Sequence, residues 1–296
     1  MSEFFLTTEP TLEDYWRGII LFGLNVASYK FSLAKALLEL KAPSGRLIKL
    51  EELADPFSRR ICSHLRETDK QGTSASSRFL DACRKYNRGE LSRDQLIEQT
   101  VRYGFNNVID AFHVVGRDTV PRRFFIDERQ GNKGIRITDE FSELVAGCQA
   151  NNLPHEAEAR WRLVETAWSL EVSRNVVGYD SESENLFTTD LQNRRKSLTG
   201  VRDALNGYQK GYCFYCFSDL QLEGSDRPDV DHFFPHVLKH HEFRQIDLVW
   251  NLVLACRSCN RGMKGKFDLI PTLRFLERLS RAMSSLLKAI IRFEKL

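Results

Sequence analysis

Two pairs of cysteines in the last third of the chain have the spacing of metal ligands. Cys213 and Cys216 form one C-x-x-C pair, and Cys256 and Cys259 form the second. In a cytosolic protein this pattern favours metal binding over disulfide formation. Four thiolates complete a tetrahedral zinc site without an open position, which is the structural rather than the catalytic kind of zinc. The sequence therefore predicts one structural Zn²⁺.

Other side chains in the same region are suited to the hydrolysis of a phosphodiester. That reaction needs an activated water and a group that stabilises negative charge on the phosphoryl oxygens. His232 can accept a proton from water because an imidazole titrates near neutral pH. Asp231 supplies a carboxylate oxygen and Asn260 an amide oxygen. Mg²⁺ accepts such ligands while it keeps positions for water and phosphate.

The motifs that contain these residues follow one another in a characteristic order. They are GYCFYC at 211–216, DVDHFFPH at 229–236 and NLVLACRSCNRGMKGK at 251–266. Over roughly residues 205–270 the chain resembles the zinc-containing branch of the HNH endonuclease family, which has paired C-x-x-C knuckles. The resemblance implies a ββα-metal fold with one strand ending at His232, a second strand over 252–255 and a helix from Ser258.

The resemblance also implies a role for each motif residue. Asp231 and Asn260 would hold a catalytic Mg²⁺ or Mn²⁺, His232 would be the general base, and Asn251 would brace the loop that carries His232. The last motif position is Asn260 rather than a histidine, which leaves the metal preference open. The implied product has a 5′-phosphate and a 3′-hydroxyl, and a single site would nick one strand at a time.

The distribution of charge supports an anionic partner for the same region. Residues 190–296 carry 18 lysines and arginines against 12 acidic residues, whereas residues 1–189 carry 25 against 28. Such asymmetry suggests an anionic partner, for which a nucleic acid is possible but not required. The resemblance makes DNA the expected partner, with RNA not excluded. The candidate phosphate contacts are Lys264, His236, Arg257, Arg261 and Lys266. For each of them a solvated surface charge is the alternative.

The fold class predicted from the whole chain is α+β, with a mainly helical N-terminal domain over 1–185 and a nuclease domain over 190–296. Apolar periodicity predicts N-terminal helices, with Thr11 capping the first; they cover 11–41, 50–68, 76–86, 92–115 and 155–174. Residues 122–138 predict a β-hairpin, which we interpret as a surface hairpin packed on helices rather than as a DNA-contacting wing. The C-terminal domain is expected to contain helices over 190–208 and 272–293, the second of them amphipathic.

Composition places the chain among ordinary globular proteins, with 42% hydrophobic and 28% charged residues in 296. This length suggests about two domains. No apolar run reaches the roughly 18 to 20 residues of a bilayer span. The chain begins Met1-Ser2-Glu3, without the basic segment of a secretion signal, and we therefore expect a cytoplasmic protein.

Two alternatives to a nuclease use the same residues. Cys213, Cys216, His232 and His236 also fit a two-cysteine, two-histidine zinc finger, which would make a nucleic-acid-binding module. That alternative leaves the second cysteine pair without a role and places Pro235 between two ligands that should share a helix. A nuclease-like scaffold without activity is the other alternative.

The biological setting follows from the resemblance alone. Bacterial anti-phage defence or restriction is expected, with defence-system proteins as partners. Homing and phage-packaging nucleases are the alternatives. The N-terminal domain would then target or restrain the nuclease.

Overall fold

The computed structural model of the chain describes residues 10–23, 26–74, 76–116, 118–170, 177–189, 195–235, 238, 246–263, 265–266 and 269–280. The described fold is α+β, with helices and small sheets. It divides into two compact units, Met1–Ala150 and Asn151–Leu296. Among the described helices, none has the length and apolar character needed to cross a bilayer.

The N-terminal unit contains mostly helices. Thr11 caps the first helix as predicted, because its hydroxyl accepts a hydrogen bond from the Asp14 amide and the Asp14 side chain accepts one from the Thr11 amide. The helices of this unit are α1 (Leu12–Arg17), α2 (Tyr29–Leu40), α3 (Leu50–Glu67), α4 (Arg78–Asn87), α5 (Arg93–Tyr103), α6 (Val108–Ala111), α7 (Arg129–Asn132) and α8 (Asp139–Ala146).

The prediction of one continuous helix from Thr11 to Lys41 is wrong. Helix α1 passes into a π-helical turn at Gly18–Phe22, and the chain becomes extended at Gly23 before α2 begins. A Cβ atom at position 23 would lie 2.3 Å from the Ile19 carbonyl oxygen and 2.7 Å from Lys30 Nζ. The break therefore depends on a glycine at a close approach that apolar periodicity does not reveal.

The predicted hairpin is present and belongs to a larger sheet. Strands β4 (Phe125–Asp127) and β5 (Gly134–Ile137) are antiparallel and are joined by α7. Strand β1 (Leu47–Lys49) pairs with β5, which gives the order β1-β5-β4. A separate antiparallel pair consists of β2 (Val114–Val115) and β3 (Asp118–Thr119). The predicted helix over 92–115 is thus two helices followed by a strand.

Two basic side chains of this hairpin, Arg129 and Arg136, are paired with acidic residues of the same unit. Arg129 binds Asp110 and also Asp127, with 2.9 Å between Arg129 Nε and Asp127 Oδ1. Arg136 binds Glu128 through two hydrogen bonds of 2.6 and 2.8 Å. These ion pairs agree with a surface hairpin packed on the unit rather than with a set of cations available to a phosphate backbone.

Buried aromatic rings form the interior of the N-terminal unit. Trp16 makes edge contacts with Phe124 and Phe112, with ring centroids 5.1 and 5.7 Å apart. Phe57 packs on Phe79 at 5.4 Å and on Phe105 at 4.8 Å. Such rings bury large apolar areas and supply most of the stability of a unit of this size.

The C-terminal unit is mixed in secondary structure. It begins with α9 (Leu153–Leu170), which lies before the domain boundary that the sequence suggests at 185–190. Residues 273–280 are helical and fall within the predicted C-terminal helix, whose remainder lies outside the described residues. The other elements are β6 (Val177–Asp180), β7 (Asn185–Thr189), β8 (Arg195–Gly200), α10 (Val201–Tyr208), β9 (Asp229–His232), β10 (Leu252–Ala255) and α11 (Arg257–Arg261).

A three-stranded antiparallel sheet in this unit was not predicted. Strands β6, β7 and β8 follow in order where the sequence suggests an acidic linker and the start of a helix. The predicted helix over 190–208 is wrong for residues 195–200, which form β8, and holds for α10. Tertiary pairing overrides the weak local preference of this polar segment.

A small apolar cluster joins α9, β7, α10 and β10. Leu186, Leu205, Leu252 and Leu254 are buried in it, and Cys213 lies beside them. Gln209 hydrogen-bonds both backbone groups of Leu254, at 3.0 Å to the carbonyl oxygen and 2.7 Å from the amide. This buried side chain thereby replaces a strand partner along one edge of β10 and fixes β10 relative to α10.

Candidate metal centre and catalytic site

The four cysteines of the two C-x-x-C pairs form one cluster, as the sequence predicts. The Sγ atoms of Cys213, Cys216, Cys256 and Cys259 all lie within 4.8 Å of one another. The Sγ atoms of Cys216 and Cys256 are 3.7 Å apart. A tetrahedral zinc site with Zn–S bonds of about 2.3 Å places its sulfurs about 3.8 Å apart. The cluster is therefore able to hold one metal ion such as zinc.

Tight turns place the sulfurs. In the first pair the Cys213 amide donates to the Ser218 carbonyl at 2.8 Å, and Phe217 adopts a left-handed conformation with a φ of 65°. In the second pair Cys256 lies at the N-terminus of α11, and its carbonyl accepts hydrogen bonds of 3.0 Å from the amides of Cys259 and Asn260. A ligand to the cluster and the predicted catalytic amide are thus adjacent in one helical turn.

In the thiolate form that binds a metal, these four cysteines need a cation beside them. Burial raises the pKa of Cys213 to about 11, and burial together with neighbouring sulfurs raises the pKa of Cys259. At Cys216 burial also raises the pKa, but hydrogen bonds with Ser218 and other groups bring it down to about 7. Four thiolates in this space would repel one another, and a divalent cation removes that repulsion.

The next part of the site is the antiparallel pair formed by β9 and β10. The register places His232 opposite Leu252 and Asp231 opposite Val253. Because side chains alternate along a strand, Asp229 and Asp231 share one face of β9 and His232 lies on the other. Helix α11 follows β10 directly, so the order strand, strand, helix that the resemblance implies is present.

Asp231 is buried and accepts hydrogen bonds at both carboxylate oxygens. Its Oδ2 atom accepts from the Tyr215 hydroxyl at 2.5 Å, and its Oδ1 atom accepts from Lys266 Nζ at 3.0 Å. Burial raises the pKa of Asp231, whereas Tyr215 and Lys266 lower it. Burial also raises the pKa of Tyr215, which therefore keeps its proton and remains a donor.

Asn260 forms a hydrogen bond with Asp229. The resemblance implied instead that Asn260 and Asp231 hold one metal ion together. Asn260 Nδ2 donates to Asp229 Oδ2 at 3.1 Å. Arg261 binds the same carboxylate through both of its oxygens, with 2.8 Å between Arg261 Nε and Asp229 Oδ2. Burial would raise the pKa of Asp229, but Arg261 and Asn260 hold it below its usual value. Asp229 is thus a second buried carboxylate of the site, which the sequence analysis did not single out.

His232 lies between an acid and an aromatic ring. Its Nε2 atom is 3.3 Å from Asp247 Oδ1, and its ring centroid is 5.9 Å from that of Tyr179. Tyr179 comes from the unpredicted sheet, and its amide donates to the Asp247 carbonyl at 2.9 Å. Strand β6 therefore positions both neighbours of the imidazole. No local motif marks Asp247 or Tyr179, since their place depends on this long-range pairing.

Asn251 connects the chain on both sides of the histidine loop. Its Oδ1 atom accepts from the Phe234 amide at 2.7 Å. Its Nδ2 atom donates to the carbonyl oxygens of Phe234 and Ile246, both at 2.9 Å. The side chain is fully buried. Asn251 thus holds the residues that follow His232 against the residue that precedes Asp247.

A cationic cleft opens on α11. It has a volume of about 480 Å³ and is lined by Arg257, Ser258, Arg261 and Gly262. Both arginines also contribute to the low pKa of Asp229. Two guanidinium groups and a hydroxyl are suited to the oxygens of a phosphate.

The other candidate phosphate contacts have different outcomes. Lys264 and His236 lie outside the described residues. Lys266 is buried against Asp231, with 8% of its side chain exposed, and so does not occupy the exposed position expected of a phosphate contact.

Comparison with known proteins adds no relative. No family model, no curated protein and no solved structure matches the chain. The functional argument therefore depends on the motifs and on the geometry of the C-terminal unit.

Proposed function

We propose that this protein is a metal-dependent endonuclease of the HNH type that hydrolyses phosphodiester bonds in DNA. The observation that carries the proposal is the arrangement of β9, β10 and α11 around the sulfur cluster. It places His232, two buried carboxylates and the Asn260 amide on adjoining elements of one small unit. Such a concentration of buried ionisable groups is typical of a catalytic site.

In this proposal the sulfur cluster holds a structural Zn²⁺ through Cys213, Cys216, Cys256 and Cys259. The metal joins the two knuckles and fixes the first turn of α11, so that Asn260 keeps its position one residue after a ligand. Four thiolate ligands would leave this zinc without an open coordination position, so it would take no part in the reaction.

His232 would act as the general base. It accepts the proton of the attacking water while the water oxygen bonds to phosphorus and the bond from phosphorus to the 3′ oxygen breaks. The released 3′ oxygen takes up a proton from a solvent water molecule, and the products carry a 5′-phosphate and a 3′-hydroxyl. Asp247, 3.3 Å from His232 Nε2, orients the ring and stabilises the imidazolium.

Asp231 and Asn260 are the residues that would hold a catalytic Mg²⁺ or Mn²⁺. Their donor atoms, a carboxylate oxygen and an amide oxygen, are of the hard type that these ions prefer. The Lys266 ammonium beside Asp231 Oδ1 shows that this position already stabilises a cation. When bound, a divalent ion would supply charge stabilisation at the phosphoryl oxygens.

The substrate strand would lie along α11. Arg257 and Arg261 line the cleft on that helix, and the ion pair between Arg261 and Asp229 restricts the rotation of the Arg261 guanidinium. A single site of this kind cuts one strand per encounter, so nicking is the expected activity of one molecule.

The test is cleavage of supercoiled plasmid by the zinc-loaded chain in the presence of Mg²⁺. The wild-type chain should produce nicked circles, and His232→Ala should lower the rate about 10²- to 10⁴-fold with its zinc content unchanged. Cys148→Ser, which changes a cysteine outside the cluster, should cut at the wild-type rate. Loss of zinc from His232→Ala would instead favour the zinc-finger alternative, and no cleavage by the wild-type chain of plasmid, single-stranded DNA or RNA would reject the nuclease.

Anti-phage defence or restriction is the setting we propose, with the N-terminal unit targeting or restraining the nuclease. Because α9 packs with α10 and β8, a truncation should begin at Asn151 rather than near residue 185. Restraint predicts faster nicking by the truncated chain than by the full chain. Equal rates would contradict it.

A further inference from the structure

Lys266 is a buried cation within the candidate catalytic site. Its Nζ atom lies 3.0 Å from Asp231 Oδ1 and also donates to the His232 carbonyl oxygen. The two side chains of the ion pair are 8% and 6% exposed. A buried ammonium that contacts a carboxylate oxygen and a carbonyl oxygen occupies the kind of position that a hard metal ion would take.

The backbone delivers this lysine to the site by a tight return loop. The Gly265 amide donates to the Gly262 carbonyl at 2.7 Å, and the Lys266 amide donates to the Cys259 carbonyl at 2.7 Å. A Cβ atom at position 265 would lie 2.5 Å from the Asn260 carbonyl oxygen, so a glycine is needed there. The lysine is therefore anchored to a knuckle of the sulfur cluster.

The contacts of Asp231 leave neither of its carboxylate oxygens without a donor. Tyr215 donates to Oδ2 at 2.5 Å, and Lys266 donates to Oδ1. The Tyr215 hydroxyl is neutral, so Lys266 provides the positive charge in direct contact with this carboxylate. A divalent ion could bind Asp231 Oδ1 on condition that the ammonium leaves, because two cations in one buried contact repel each other.

We propose that Lys266 is a resident cation that competes with the divalent metal for Asp231. The inference depends on the proposed function for the identity of the competing ion, which is Mg²⁺ or Mn²⁺. Metal binding then requires the ammonium to move away from Asp231. The apparent affinity for the metal is lower than the intrinsic affinity by the fraction of molecules in which Lys266 has moved.

The first experiment measures the affinity of the zinc-loaded full chain for Mn²⁺ by titration calorimetry. The binding event that is absent from the Asp231→Asn variant is assigned to the catalytic site. Lys266→Met should bind Mn²⁺ roughly tenfold more tightly than the wild type, if the ammonium holds Asp231 in about nine molecules of ten. Lys85→Met changes an exposed lysine of the other unit and should leave the affinity unchanged. Equal or weaker binding by Lys266→Met would overturn the proposal.

The second experiment uses the wild-type chain, because Lys266→Met removes the partner of a buried carboxylate and can impair folding. An amine-acetylating reagent is applied with and without Mg²⁺, and each lysine is quantified by mass spectrometry. Mg²⁺ should increase the labelling of Lys266 several-fold. Lys85 should be labelled equally in both samples, and Lys30, which is buried in the N-terminal unit, should stay protected in both.

The outcomes separate this proposal from the nuclease. If the chain nicks DNA with Mg²⁺ while Mg²⁺ leaves Lys266 protected, the competition is wrong and the nuclease stands. If Mg²⁺ exposes Lys266 and the chain cuts no nucleic acid, the competition stands and the nuclease is wrong. Exposure of Lys30 together with Lys266 would show general unfolding and would also overturn the competition.

Discussion

The two units of this protein differ in the polar and ionisable groups that they add to an apolar interior. Both units bury aromatic rings, such as Trp16 in the first and Trp161 in the second, but the C-terminal unit also contains a cluster of four sulfurs and two buried aspartates, Asp229 and Asp231, on one strand. Aromatic burial stabilises a fold without any cofactor, but a cluster of thiols and carboxylates depends on cations. Groups that are costly to bury are often retained where they serve a function, and the buried carboxylates beside the metal cluster are the reason we propose a site in the C-terminal unit.

The surface cations of the two units differ in the same way. In the hairpin of the N-terminal unit, Arg129 and Arg136 are held by acidic neighbours. In the C-terminal unit, Arg261 is likewise bound to Asp229, whereas Arg257 is exposed at the open cleft on α11. Cations that are already paired contribute little to binding an anion, so a hairpin that is basic in sequence is not the same as a cationic surface.

Metal removal should have the largest effect on stability, and it should affect the C-terminal unit but not the N-terminal unit. Zinc bound to four thiolates contributes on the order of 10 to 16 kcal/mol, which is comparable to the whole stability of a typical domain. Stripping the metal with a chelator should therefore unfold β9, β10 and α11 and leave the N-terminal unit folded. Hydrogen exchange followed by mass spectrometry measures both units in one sample.

Cysteine variants provide the matched control for this prediction. Cys256→Ser should reproduce the loss of protection in the C-terminal unit, and Cys148→Ser should not. Persistent protection of β9 and β10 after complete loss of the metal would show that the hairpin does not depend on the sulfur cluster.

The next largest effect is expected at Asn251. Replacing it with alanine leaves the backbone groups of Phe234 and Ile246 without their side-chain partner in a buried place, which should cost about 3 kcal/mol. Urea unfolding of the C-terminal unit measures this change, with Asn106→Ala, at an exposed position of the N-terminal unit, as the control. A loss below about 1 kcal/mol would mean that water replaces these hydrogen bonds.

Acid should destabilise the N-terminal unit through one buried histidine. Burial lowers the pKa of His113 to about 3, and its Nε2 atom accepts a hydrogen bond from the Phe124 amide, which requires the neutral ring. The unfolded chain takes up this proton near pH 6.5, so stability is complete above that pH and falls as the pH decreases toward 3.

From pH 7 to pH 4.5 this loss amounts to roughly 2 to 3 kcal/mol. Hydrogen exchange of α3 at the two pH values measures it, since α3 belongs to the same unit. His113→Gln keeps an acceptor without the titration and should remove most of the dependence. An unchanged dependence in that variant would assign the acid sensitivity to other groups.

The smallest effect is expected on DNA binding, when an arginine of the cleft on α11 is compared with an arginine of the N-terminal hairpin. Arg257→Ala should reduce the salt dependence of DNA binding by about one phosphate contact and weaken binding modestly. Arg129→Ala should leave both quantities unchanged, because its side chain is held by Asp110 and Asp127. Fluorescence anisotropy at several salt concentrations measures the DNA affinity of both variants. A larger loss of affinity for Arg129→Ala than for Arg257→Ala would mean that the N-terminal hairpin, not the cleft on α11, contacts DNA.

Local sequence signals account for part of this structure. The sulfur cluster could be predicted because C-x-x-C pairs impose a geometry that few other sites share. The cap at Thr11 and the strand that ends at His232 also have local causes. Asp229 could have been found as well, since it lies two residues before Asp231 and so shares its face of the strand.

The contacts that surround the candidate catalytic residues could not be predicted in this way. Lys266 reaches Asp231 through a glycine turn, and Asp247 reaches His232 through pairing with β6. Both contacts depend on the tertiary placement of segments whose sequences have only a weak preference for any secondary structure. The sequence of the segment that contains β6 predicts a polar linker rather than a strand. The motifs therefore identify which residues form the candidate site, but they do not predict which side chains contact those residues.

X-ray absorption at the zinc edge of the purified full chain tests the central claim most directly. We expect one zinc per chain with four sulfur neighbours at about 2.3 Å, which would join both knuckles to the strands and helix of the candidate site. Two sulfur and two nitrogen neighbours would indicate a zinc finger that uses histidines. That result, or a chain that purifies without zinc, would contradict the account.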